Sequence, residues 1–371
     1  MAMRRGWSRG RTRGLVAALT AGLVLVLAPH GTAQVAHRGT AAEGGFTVGV
    51  LLPDTHTPRW TKFDKPLIEK RVKQLCGTCT VRYANASADV ATQQSQVNSM
   101  IANGVRVLIL SPVESKALAT SVRRAHASHV PVVSYDRLAD GPLSAYSGYD
   151  SEMIGRLQAQ GLLAALGKGA GRPRIVMMNG EPTDPNAKAL RKGALSVFQG
   201  KADVVAEYNT TGWIPQNAFT NTLAAVAKLG PHGFDGVYSA NDGLATGVVT
   251  ALKAENVTPQ PPVTGEDADL AAVRRVVTGE QAVTVYKSFA AEADAAAEMA
   301  VALARGMPID AIAKQRISND TTKDIPAYLG TPVAVNRGNV KQTIVDAGVY
   351  TVQQICTPKV QSACRDAGLT G

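Results

Sequence analysis

From residue 46 onward, short uninterrupted apolar runs alternate with stretches of helix length. This alternation constrains the fold most, because a strand apolar at successive positions must be covered on both faces. Residues 46–52, 80–84, 105–110 and 130–135 read as strands, and 60–75, 90–102 and 115–127 as helices. The pattern breaks at a Gly- and Pro-bearing loop, 167–173, and then restarts. Strands are expected at 174–178, 203–208, 235–239, 263–265 and 282–286, and helices at 187–198, 215–228, 243–254, 270–277 and 289–305. Each series has the order of βαβ units. The expected fold is therefore α/β, with two doubly wound parallel-sheet lobes joined by a hinge.

The first lobe is assigned residues 46–150 plus 289–319, and the second 151–288 plus 320–355. Residues 356–371 form a C-terminal tail, and crossings are expected near Asp150, Ser288 and Asn319. Ahead of the lobes lies a different kind of segment. Arg4, Arg5, Arg9, Arg11 and Arg13 precede an apolar run over 15–28, followed by small residues. That order is the pattern of a secretory signal peptide, expected over 1–34 with a linker over 35–45. The apolar run is short for a membrane span, although an uncleaved anchor is the alternative. No cysteine follows the run, so there is no lipobox. The chain is expected to be exported, either to a periplasm or to the cell surface or medium.

The net charge of +10 includes those five arginines, and subtracting them leaves +5 for the remainder. No Lys/Arg cluster stands out elsewhere, so nucleic-acid binding is not expected. Four cysteines, Cys76, Cys79, Cys356 and Cys364, allow three pairings. Export favours disulfides, and joining the close neighbours is the simplest pairing. A redox dithiol or half of a zinc site is the alternative at Cys76-Gly-Thr-Cys79, but no second CxxC or paired histidines complete a zinc set. No metal or other cofactor is expected. The glycine-rich stretch 167–171 does not sit between a strand and the helix it would open, so it reads as a surface turn rather than a phosphate cradle.

Open parallel sheets bind ligands beyond the carboxyl ends of their strands. Polar residues gather there: Arg59 after the first strand, Asp136-Arg137 after 130–135, and Asn186 in the turn that follows 174–178. Trp213 follows 203–208, Asn241-Asp242 follow 235–239, Glu266-Asp267 follow 263–265, and Lys287 follows 282–286. Taken singly, these have ordinary roles: aspartates after strands cap helices, arginines and lysines face solvent, and asparagines make turns. Taken together they offer acceptors, donors and an indole face. That set suits sugar hydroxyls and the apolar C–H face of a sugar ring.

The stretches Arg59-Trp60, Asn85 with 93–96, 104–112, Tyr135-Asp136-Arg137, 182–188, 212–218, Ser239-Ala-Asn-Asp242, 265–270 and Thr284-Val-Tyr-Lys287 occur in order over almost the whole of 46–350. In these the chain resembles the D-xylose-binding protein family of sugar ABC transporters, within the type I periplasmic binding proteins. Two places depart from that pattern: Glu266, where the family commonly has Gln, and the loop 54–58. The resemblance implies a hinge-closing fold that takes a monosaccharide, D-xylose first, between its lobes and hands it to an ABC permease, acting as a monomer. It also implies sugar contacts from Arg59, Asp136 and Arg137 in the first lobe. Asn186, Trp213, Asn241, Asp267 and Lys287 would supply them from the second, with Trp213 stacking on the ring.

Three other functions share parts of this pattern. A sugar-responsive transcription regulator would carry a helix-turn-helix where the leader pattern stands. An exported sensor subunit would have the same cleft and present sugar to a membrane receptor. A glycosidase would need a carboxyl pair from among Asp136, Glu181 and Asp267. Arg137 and Lys287 beside them would keep carboxylates ionised, which suits hydrogen bonding better than acid catalysis.

Overall fold

The computed structural model describes residues 44–370 apart from Lys168 and Ala170. The leader expected over 1–34, and the 35–45 linker up to Glu43, lie outside the described residues.

The first series runs β1 (Thr47–Leu52), α1 (Lys65–Leu75), β2 (Thr80–Asn85), α2 (Val90–Ala102), β3 (Val107–Leu110), α3 (Ser115–Ala127), β4 (Val132–Tyr135) and β5 (Ala145–Tyr149). The second runs α4 (Ser151–Leu166), β6 (Arg174–Asn179), α5 (Pro185–Phe198), β7 (Asp203–Asn209), α6 (Pro215–Leu229), β8 (Gly236–Ser239), α7 (Asp242–Ala254), β9 (Thr264–Glu266), α8 (Leu270–Thr278) and β10 (Val283–Tyr286). The chain then returns through α9 (Phe289–Ala304), β11 (Gln315–Ile317), β12 (Ile325–Gly330) and β13 (Val333–Val335). It ends in the short helices α10 (Val352–Ile355) and α11 (Gln361–Asp366).

One sheet has the order β11-β12-β5-β4-β3-β1-β2 and is parallel except at the β11–β12 pair. Every residue of β3 and β4 is buried, as parallel strands covered on both faces require. One face packs on α1 and α9, through Ile68, Val72, Ala296 and Ala300. The other packs on α2 and α3, through Val97, Met100, Leu118 and Val122. The second half holds the sheets β7-β6-β8 and β13-β10-β9, linked by a parallel bridge between Val237 and Val263. Here β13 is antiparallel to β10, and the other strand pairs are parallel.

One boundary differs from the sequence expectation. Residues 320–355 were assigned to the second lobe, yet β12 pairs in parallel with β5 from Ala327–Tyr146 to Gly330–Tyr149. The chain leaves the first sheet only after Gly330, and β13 then pairs with β10. The physical reason is burial: Ile325 and Ala327 complete the core beside Val132 and Tyr146.

Cys76 is bonded to Cys79 and Cys356 to Cys364. The second bridge ties α11 to the chain after α10, within a cluster that also includes Val273 and Val277 of α8. Among the described residues, no helix is long and apolar enough to cross a membrane, and no group of acidic, His or Cys residues is placed to hold a metal ion.

Candidate functional site

The carboxyl ends of both halves' strands face one cleft, whose empty volume is about 340 Å³ including the space open to solvent. Arg59, Asp136, Arg137, Asn186, Trp213, Asn241, Asp267 and Lys287 all line it. Thr57, Trp60, Asp184, Leu190 and Glu266 complete the wall.

Local turns set each group in place. After β1, Asp54 accepts from the amides of His56 and Thr57 through Oδ1, and from Trp60 Nε1 through Oδ2. This folds the loop back so that Arg59 is fully buried. The Arg59 guanidinium is sandwiched between the Trp60 and Phe289 rings, 4.5 and 4.4 Å from their centroids. It donates to both oxygens of Asp64 at 2.9 Å, to Glu292 at 2.7 Å and to Asp136 at 2.6 Å. A planar fork with four such acceptors cannot rotate, so its remaining N–H is aimed by its neighbours.

Asp136 is the junction of the two halves. It takes Arg59 from its own half, and Lys287 at 3.2 Å and Asn186 at 3.0 Å from the other. Burial alone would raise its carboxyl; Arg59, then Lys287 and Arg137, outweigh that and hold it below the usual carboxylate range. Lys287 Nζ donates to Asp136 at 3.2 Å and is ion-paired with Glu266 at 2.7 Å and with Asp267 Oδ1 at 3.3 Å. Burial pushes Glu266 up to about 7, against the pull of Lys287. Arg137 crosses between the halves to Asp184 at 2.8 Å, and Asp184 accepts from Trp213 Nε1 at 3.0 Å.

Three cavity residues have left-handed backbone although they are not glycine: Asp136 (φ 57°), Trp213 (φ 54°) and Asp267 (φ 98°). Such strain persists only where surroundings enforce it, and it gathers at binding sites. Asp267 Oδ1 is buried, borders the cavity and has no hydrogen bond within the protein beside its ion pair with Lys287. It is an acceptor suited to a ligand hydroxyl.

The eight residues expected to touch a ligand all line the cavity, Asp242 of the same strand-end set does not, and Asp184 and Glu292 join the site unannounced. Asp184 lies in the turn already noted before Asn186, and its signal was its place ahead of Pro185. Glu292 had one faint signal, the one carboxylate in the first turn of an alanine-rich helix. The aspartate after β8 was a candidate helix cap. In the structure Asn241 caps α7 instead, accepting from the Leu244 amide, while Asp242 is buried beneath the cavity.

The periplasmic binding protein domain matches residues 48–308. A D-xylose-binding periplasmic protein of Escherichia coli is 33% identical over 314 residues, covering 83% of this chain and 92% of the relative. A multiple sugar-binding periplasmic receptor of Rhizobium radiobacter is 29% identical, covering 92% of this chain and 98% of the relative. Among solved structures, an ABC transporter solute-binding protein of Clostridium phytofermentans with bound β-D-glucose superimposes with a TM-score of 0.76 at 30% identity. That match covers 83% of this chain and 99% of that one. With its parallel sheets and strand-end cleft, the chain belongs to the periplasmic binding protein family, whose members bind solutes and are not enzymes.

Proposed function

We propose that this protein captures a monosaccharide, D-xylose foremost, outside the cytoplasm and delivers it to an ABC importer. The observation that carries the reading is the convergence of donors, acceptors and an indole from both halves on one cleft. Hydroxyls both donate and accept. Here Asp136 and Asp267 accept, Arg59, Arg137 and Lys287 donate, Asn186 and Asn241 do both, and Trp213 stacks on the ring. A cavity of this kind rejects a sugar lacking one hydroxyl, because the buried partner is then left unpaired.

The relatives support an aldopyranose: one at 33% identity is named for D-xylose, and a structure at 30% holds β-D-glucose. These sugars differ only by the hydroxymethyl group and present the same ring hydroxyls at C2 to C4. The mechanism is ligand-stabilised closure of two lobes, 46–150 with 289–330 and 151–288 with 331 onward. Sugar touches both lobes only when they are closed, and its differential affinity shifts the population. Calorimetry with pentoses and hexoses tests the reading. D-xylose should bind, and Trp213→Ala and Asp267→Ala should each abolish or severely weaken binding in folded protein. Unchanged affinity in both variants refutes the site.

A second reading, presentation of sugar to a membrane receptor, is favoured only by the receptor named among the relatives. Pull-down by a permease rather than a histidine-kinase ectodomain separates the two.

A further inference from the structure

Beneath the cavity in the second half lies a polar cluster that no ligand contact explains. Asp242 is fully buried at the start of α7, directly after the cavity residue Asn241. Its Oδ2 accepts from the Asp269 amide and from Thr284 Oγ1, both at 2.9 Å, and its Oδ1 accepts from Gln281 Nε2 at 2.8 Å. Gln281 in turn accepts from Arg275 Nε at 3.0 Å, and Arg275 donates to the Asp242 carbonyl. Every hydrogen-bond partner of the two carboxylate oxygens is a donor. Burial, then the nearby Asp269, push this carboxyl up, while Arg275 and Gln281 pull the other way.

These bonds converge on the loop that carries Asp267. Asp267 and Ala268 both have left-handed backbone, at φ 98° and 51°. Three consecutive amides hold them there. The Asp267 N–H goes to the Val285 carbonyl, the Ala268 N–H to Thr284 Oγ1, and the Asp269 N–H to Asp242. Thr284 passes the Ala268 bond on to Asp242, so one carboxylate secures two of the three. Gly265 is part of the same device: a Cβ there would lie 2.0 Å from Asp242 Oδ1 and 2.4 Å from Gln281 Nε2.

We infer that Asp242 is a positioning residue for ligand binding, which holds the 267–269 loop in its left-handed form so that the Asp267 carboxylate meets a ligand hydroxyl. This rests on the sugar-binding reading above. The observation distinguishing it from ordinary helix capping is that Asn241 already caps α7, leaving both Asp242 oxygens for the loop, Thr284 and Gln281.

The test is a set of calorimetric titrations with D-xylose and D-glucose, on variants whose thermal unfolding shows them folded. Asp242→Asn sets a side-chain amide against the Gln281 amide and weakens the hold on the loop. It should lower aldose affinity by about 10- to 100-fold. In an Asp267→Asn background it should cost little more, because the group it positions is already altered. In an Asn186→Ala background it should cost its full factor, since independent sites add. The exchanged pair Asp242→Asn with Gln281→Glu restores a donor facing an acceptor and keeps a partner for Arg275, so affinity should recover. Amide hydrogen exchange at Asp269 should quicken in Asp242→Asn and slow again in the exchanged pair. Equal losses in both backgrounds, or unchanged exchange at Asp269, overturn the inference while leaving sugar binding intact. If the wild-type protein binds neither these sugars nor other aldoses, the sugar-binding reading fails and the inference falls with it.

Discussion

Gly180, directly after β6, offers a way to impair binding without removing any group that would touch a ligand. A Cβ built there would stand 2.1, 2.2 and 2.4 Å from Cη2, Cζ2 and Cζ3 of Trp213. Carbon atoms settle at about 3.5–4.0 Å, so in Gly180→Ala the indole must retreat by roughly 1.5 Å. The backbone at Gly180 is not left-handed, so alanine brings no backbone strain of its own. The ring is tethered through Nε1 to Asp184 and has the cavity beside it, so the retreat narrows the space for a sugar. In the free protein the cavity absorbs this shift, and unfolding stability should change by less than about 1 kcal/mol. With sugar bound that relief is blocked, and overpacking costs about 1–3 kcal/mol. At about 1.4 kcal/mol per decade, affinity should fall roughly 5- to 150-fold. Calorimetry with D-xylose, alongside a melting curve, reads both quantities. Adding Trp213→Phe removes the atoms in conflict and should narrow the gap between the alanine and glycine forms. Affinity within twofold of wild type in Gly180→Ala would refute the argument that the missing side chain sets the position of the ring.

Stability should fall with rising pH near neutrality. The folded value of Glu266, about 7, lies above its ordinary 4.5, so between these values the folded protein holds more protons than the unfolded chain. The resulting stability is fully present below about pH 4.5 and is lost as pH rises through 7. Glu292, raised to about 8, and Asp269, raised to about 7, act in the same direction. The melting temperature should therefore decline from pH 5.5 to 8, less steeply in Glu266→Gln, and an identical slope in that variant would contradict the assignment. Replacing Cys356 and Cys364 together by serine opens a short loop, whose closure contributes about 2–3 kcal/mol. Denaturant unfolding should show that loss with aldose affinity retained, whereas a matching collapse of affinity would mean that the tail bears on the site.

The sequence revealed the elements whose physics is local. Strands such as β3 and β4 are buried on both faces and so are written as apolar runs. Residues beyond the strand ends were legible for a topological reason: parallel strands deliver their carboxyl ends to one edge, wherever the chain runs in between. Strand β5 was not legible. Its sequence Ala-Tyr-Ser-Gly-Tyr carries hydroxyls into the interior, where Tyr146 donates to the Asp136 carbonyl, Ser147 to that of Glu292 and Tyr149 to that of Ser288. Burial by hydrogen bonding leaves no apolar run to read. The same holds for Glu292, whose partner Arg59 is 233 positions away. Short β11 and β13 have partly exposed faces and too few residues to show a period.

The cavity's charges explain how a site rich in carboxylates suits an uncharged ligand. An unpaired buried carboxylate would take up a proton or draw in a cation. Here Asp136 is neutralised by Arg59 and Lys287, and Asp184 by Arg137, before any ligand hydroxyl is considered. What remains for the ligand is directional: Oδ1 of Asp267, ion-paired but without a hydrogen bond, the spare N–H of Arg59, Oδ1 of Asn186 and Nδ2 of Asn241. Several of the neutralising bonds join the two halves, namely Arg137–Asp184, Lys287–Asp136 and Asn186–Asp136. Drawing the halves apart would return these groups to water, at little net cost because hydration replaces the lost pairs. A ligand that bonds to both halves would favour the closed form by its differential affinity for it. A sugar lacking one of the bonding hydroxyls would lose both the bond and part of the closure. On that argument, selectivity among sugars would come from the same groups that hold the halves together.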